Sequence, residues 1–150
     1  MDVAMWNTLH DGRVSAADGA VPGDVRLSIE IAYLCRHLPT QAQHLSVTLG
    51  GCEQFEYQPH DGPKLDAPSA VAALGLDVLT ARINGGCVRV ECADRGAGGS
   101  LVLRYASAQI QTAEGCPLSQ AEIEEAAERY WSLWEQRRDE PGATADGGDA

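Results

Sequence analysis

Between Thr8 and Arg104 apolar side chains recur at every second position in short runs separated by Gly, Pro, Asn and Asp, and at Leu118 the period changes to that of a helix. A period of two puts alternate side chains on opposite faces of a strand, so each run has one face to bury and one to leave in water. A chain patterned in this way folds around a half-buried antiparallel sheet, and no repeat of solenoid length offers another route.

The runs define the expected elements. A first strand is expected near Thr8 to Ala17, followed by Asp18-Gly19 and Pro22-Gly23 as turn residues. Val25, Leu27 and Ile29 alternate with Arg26, Ser28 and Glu30 in a second strand over Asp24 to Ala32. Tyr33 to Leu38 either continues that strand or makes a short helical turn before Pro39. Leu45, Val47 and Leu49 repeat the alternation, and Phe55 and Tyr57 resume it after Gly50-Gly51, as one bent strand or two consecutive ones. His60 to Pro68 reads as a loop and Ser69 to Leu74 as a short helical stretch closed by Gly75. Two β-rich runs over Leu76 to Ala93 flank Asn84-Gly85, a pair suited to a type I′ hairpin turn. A loop over Asp94 to Gly99 then leads into a strand over Ser100 to Ile110, completing a meander.

From Leu118 the logic is helical. Ser119 is a fitting N-cap, Glu122 stands three positions on to close a capping box, and Leu118 and Ile123 are spaced as a hydrophobic staple. A helix over about 120–137 follows, with Ile123, Ala126, Ala127, Tyr130 and Trp134 on the stripe expected to pack on the sheet and Glu124, Glu125 and Glu128 away from it. The fold class is therefore α+β and mainly antiparallel β: a curved sheet, small barrel or sandwich with one C-terminal α-helix packed on it. Residues 1–140 form a single domain, and 141–150, with Ala as their only apolar side chain apart from Pro141, are expected to be a disordered tail.

Charge narrows the function. The 150 residues carry 11 Lys and Arg against 22 Asp and Glu, a formal net of −11. Half of that excess lies from Ser119 onward, where nine Asp and Glu face three Arg. Binding to a phosphate backbone needs clustered cations, and here a single Lys, Lys64, accompanies ten scattered Arg, so no nucleic acid or anionic membrane is expected as a partner. An acidic surface instead steers toward a basic protein. Met1 to Val14 holds neither a basic start before an apolar core nor a small-residue cleavage site, and no apolar run reaches membrane-span length, so a cytoplasmic location is expected. Five cysteines without a C-x-x-C pair read as reduced, buried small hydrophobes.

No motif identifies a reaction or requires a cofactor. The triplet His-Asp-Gly occurs twice, so His10, Asp11, His60 and Asp61 together could supply four metal ligands or a carboxylate-oriented base. Each Asp-Gly step is also ordinary turn chemistry. The Gly96-Ala97-Gly98-Gly99 string lies between strands and lacks the helix N-terminus that a phosphate cradle needs. On the helix, Trp131 diverges from the centre of the apolar stripe, which makes it the candidate anchor beside Glu124, Glu125 and Glu128.

The strings Trp6-Asn-Thr-Leu-His-Asp-Gly12, Pro22-Gly-Asp-Val-Arg-Leu27, Leu49-Gly-Gly-Cys-Glu-Gln-Phe55 and Tyr130-Trp131 resemble those of small uncharacterised bacterial β-domains, some of which occur among the immunity proteins of polymorphic toxin systems. The resemblance implies a non-enzymatic binding role and supplies no catalytic residue. The expectation is a cytoplasmic, immunity-like protein that neutralises a basic protein partner, such as a toxin, through Glu124, Glu125, Glu128 and Trp131. The alternative is a β-barrel small-ligand protein or metal-dependent enzyme that uses His10, Asp11, His60 and Asp61.

Overall fold

A computed structural model describes residues 3–94 and 98–139. The expected tail over 141–150 and part of the expected loop over 94–99 lie outside the described residues. In chain order the elements are α1 (Ala4–Thr8), β1 (Arg13–Gly19), β2 (Gly23–Glu30), α2 (Ala32–Cys35), β3 (His44–Cys52), β4 (Gln54–Pro59), α3 (Pro68–Ala72), β5 (Asp77–Asn84), β6 (Cys87–Ala93), β7 (Gly99–Arg104), β8 (Ser107–Thr112), β9 (Pro117–Leu118) and α4 (Gln120–Asp139).

All strand pairings are antiparallel, in one nine-stranded sheet of order β4-β7-β6-β5-β1-β2-β3-β8-β9. Only Glu53 separates β3 from β4, yet β4 begins the order and β3 stands seventh in it. A chain can make that passage only if the sheet curls over, so that its two halves face each other across the core. The order nonetheless keeps two ends, and the sheet is not closed into a barrel. Its narrowest seam is β1 against β5, where Arg13 opposite Asp77 is the one paired position and neighbouring backbone bonds such as Asp11 N–H to Val78 O reinforce it.

The core follows the alternation read from the sequence. Val25, Leu27 and Ile29 on β2, Leu45, Val47 and Leu49 on β3, and Val88, Val90 and Cys92 on β6 are buried, while their neighbours are half-buried or exposed. Several boundaries differ from expectation. The first strand starts at Arg13 because Ala4–Thr8 is helical, and that helix sends Met5, Trp6 and, just past its end, Leu9 into the core. The second strand stops at Glu30, and Tyr33 to Leu38 opens with the helical turn α2. The β5–β6 turn centres on Gly85-Gly86, one residue beyond Asn84-Gly85, with φ of 61° and 78° and Asn84 paired to Cys87. A type I′ turn needs positive φ at both central positions, and two glycines meet that demand without a Cβ clash. The strand expected over Ser100 to Ile110 breaks at Tyr105-Ala106 into β7 and β8, which lie on opposite arms of the sheet.

Beyond its one pairing with β1, the side of β5 that faces away from β6 is closed by side chains of the N-terminal segment. Asn7 Oδ1 accepts the Ala81 N–H at 2.8 Å, and Asn7 Nδ2 donates to the Ala81 carbonyl at 3.3 Å, as a neighbouring strand would. Asn7→Ala is expected to cost about 1–2 kcal/mol and to speed amide exchange at Ala81, measured by urea unfolding and hydrogen exchange.

Candidate protein-binding surface

The start of α4 is fixed as its sequence dictates. Ser119 Oγ accepts the Glu122 N–H at 3.1 Å and Glu122 Oε1 accepts the Ser119 N–H at 2.8 Å, a reciprocal capping box. Leu118 and Ile123 are both buried beside it, as the staple requires. Ile123 and Ala126 are the buried residues of the helix among those described, and Ala127 packs partly against the core. From Trp131 to Arg137 every side chain is exposed. The expectation that Trp134 packs on the sheet is thereby corrected: it is 42% exposed, because the last turns of α4 run past the body.

The overhanging turns are met from one side by α2. The Tyr33 ring lies 4.6 Å from that of Tyr130 and 6.2 Å from that of Trp131, and Trp131 stacks edge-on against Tyr130 and Trp134 at 4.9 and 6.0 Å. Tyr33 also donates its hydroxyl to the His10 carbonyl at 2.6 Å. Burial foremost, and then the Asp11 carboxylate and Tyr130, push its pKa up to about 12, so it stays a neutral donor. Sequence reasoning missed Tyr33, Arg36 and His37 as neighbours of α4. Their segment read as either strand or turn, and only the fold brings it beneath the helix.

Glu124, Glu125 and Glu128 are all exposed, as expected. Glu124 accepts from Gln120 Nε2 at 2.8 Å and Glu125 pairs with Arg129 at 3.0 Å, one turn on. Glu128 has no hydrogen bond or ion pair among the described residues. Trp131, 43% exposed, stands beside it. The surface thus offers a free carboxylate, two carboxylates already paired within the helix and a half-exposed indole.

The two His-Asp-Gly strings take different roles. In the first, Asp11 adopts φ of 70° and His10 Nδ1 donates to the Leu79 carbonyl at 2.6 Å, leaving Nε2 3.4 Å from Asp11 Oδ1. In the second, Gly62 takes the positive φ, 116°, and the His60 N–H bonds the Gly98 carbonyl at the far side of β6 and β7. Among the described residues no group of three or more His, Cys, Asp or Glu could hold a metal ion, so the four-ligand site built from His10, Asp11, His60 and Asp61 is not formed. Asp11 instead lines a cleft of about 360 Å³ with Arg13, Glu30, Tyr33, Gln43 and Asp77.

The cysteines also divide. Cys35, Cys52 and Cys92 are buried, but Cys87 is half-buried and Cys116 exposed, which corrects the expectation that all five are core residues. Burial foremost pushes the Cys35 thiol from 9.0 up to about 11 and that of Cys92 up to about 12, with Glu114 and Glu91 adding to the respective shifts. Burial raises Cys52 as well. In the unfolded chain these thiols ionise first, so their contribution to stability is complete below the unfolded value and is lost as pH rises through the folded ones. A Tm that is level to about pH 8 and falls steadily above pH 9 is expected in thermal scans. Iodoacetamide near pH 8 is expected to modify native Cys116 first, and Cys35, Cys52 and Cys92 only on unfolding, as read by peptide mass.

No helix among the described residues is long and apolar enough to cross a membrane. Comparison with protein-family models, with curated proteins and with solved structures finds no match.

Proposed function

We propose that this chain is a non-enzymatic binding protein, related in role to the immunity proteins of bacterial toxin systems, that neutralises a basic protein in the cytoplasm through the acidic flank of α4. The observation that carries the reading is the exposure of Glu124, Glu125 and Glu128 on one helix beside the half-exposed Trp131, with Glu128 unpaired. An indole that leaves water on binding supplies affinity, and the carboxylates supply orientation and a fast encounter with a cationic surface. The net charge of −11 extends the same field over the rest of the surface.

The test is toxicity rescue: co-expression with the product of the adjacent gene should restore growth. E124K/E125K/E128K should abolish rescue and weaken binding of the purified pair by about 100-fold, with circular dichroism unchanged. The affinity of the parent pair should also fall with added salt. Absence of rescue by the parent chain, or rescue unaffected by the triple reversal, overturns the reading.

A further inference from the structure

Beside the last turns of α4 lies a groove of about 280 Å³. Arg36 and His37, just past the end of α2, form one wall, and Tyr130, Leu133, Trp134 and Arg137 of α4 form the other. Two guanidinium groups border it beside an imidazole and no carboxylate lines it, in a chain with twice as many acids as bases. Neither guanidinium makes an ion pair or hydrogen bond among the described residues, whereas Arg13, Arg82 and Arg129 each hold a carboxylate. Leu133 and Trp134 are 51% and 42% exposed along the groove. Two uncommitted guanidinium groups beside an aromatic wall suit an anionic segment with small side chains.

We infer that the occupant is the chain's own segment 140–150, which lies outside the described residues and folds back into this groove. The sequence directs the return. α4 ends at Asp139, and Glu140-Pro141-Gly142-Ala143 follows. A residue before proline is turned away from helical angles, and Pro followed by Gly at the two central positions is the signature of a type II turn. Such a turn reverses the chain, so that Ala143 to Asp146 runs back along α4. Those four residues span about 13 Å when extended, and Trp134 and Tyr130 stand about 8 and 14 Å back from Asp139 along the helix axis. Asp146 is thereby brought level with the groove. Charge completes the match: residues 139–150 hold four carboxylates, Asp139, Glu140, Asp146 and Asp149, and no cation. The segment has too little apolar surface to order itself, and charge-assisted hydrogen bonds to Arg36 and Arg137 supply what it lacks. Its attachment at Asp139 gives it a local concentration in roughly the millimolar range, so an acidic segment of another molecule takes the groove only by displacing it. At about 100° per residue, Glu124, Glu128 and Trp131 project from the other side of α4, so the proposed site for a basic protein stays open.

Nuclear magnetic resonance of the full-length chain tests the inference, because it reads the segment's own contacts. Nuclear Overhauser effects are expected between the methyl groups of Ala143 or Ala145 and the Trp134 indole, unchanged on dilution and weakened by added salt. E140Q/D146N/D149N, whose substitutions lie outside every described element, should lose these effects and shift the Trp134 indole resonance. R36E/R137E should lose them too, with circular dichroism unchanged. R36E/R137E/D146R/D149R, in which the charges of groove and segment are exchanged, should restore them. Absence of the effects in the parent chain, their persistence in either charge variant, or failure of the exchanged variant to restore them overturns the inference. Effects that vanish on dilution place the segment of a second molecule in the groove and overturn it as well.

Discussion

Trp6→Ala is expected to remove about 3–5 kcal/mol of stability, a large part of the roughly 5–15 kcal/mol that a domain of this kind possesses. The side chain is fully buried, and its indole N–H donates to the Tyr105 hydroxyl at 3.1 Å across 99 residues of sequence. Tyr105 stands where β7 ends and the chain crosses to β8 on the other arm of the sheet. Trp6 therefore ties the N-terminal helix to the corner that joins the two halves, and its truncation removes both the bulk that fills the core and the donor that holds the corner. Urea unfolding should show a lower midpoint at nearly unchanged slope. Trp6→Phe keeps most of the bulk and removes the donor, so it is expected to cost less than half as much. A loss below about 1 kcal/mol for the alanine variant would mean that the corner is held by other contacts.

What the sequence discloses about this fold is mostly local. Alternation at Val25, Leu27 and Ile29, and again at Leu45, Val47 and Leu49, fixes which side chains are buried. It says nothing of which strand lies beside which, because any two strands with one apolar face satisfy it. The passage from β3 to β4 through Cys52 and Glu53 and the break at Tyr105-Ala106 decide the topology, and both are set by pairings between segments far apart in sequence, Pro59 with Gly99 and Leu45 with Thr112 among them. The Asn84-Gly85 reading failed by one residue because the following Gly86 also accepts positive φ. Ala4–Thr8 was hidden as a helix because five residues show little more than one turn of its period. For the candidate site, Ser119, Glu122 and the three glutamates were legible because capping and helical spacing are local rules. The exposure of Trp134 was not, since the stripe shows which way a side chain points and not whether the body still lies beneath it.

The shortness of the buried contact on α4 leads to the second large effect. Ile123 is fully buried and Ala126 nearly so, while the helix continues to Asp139 with exposed side chains over 131–137. Its docking therefore rests on about one turn, reinforced by the capping box and by Gln120 Nε2 donating to Thr8 Oγ1 at 3.1 Å. Ile123→Asp removes the aliphatic contact and requires a carboxylate to be buried or the helix to leave, and leaving is the cheaper course. Ile123 and Ala126 are the two residues that α4 contributes to the buried core among the described residues, so the expected loss of about 2–5 kcal/mol falls on the docking of α4 more than on the sheet. Hydrogen exchange should then show fast amides over 123–137 with β2, β3 and β6 still protected. Uniform loss of protection across helix and sheet would instead show that the single turn around Ile123 is part of one cooperative unit with the sheet.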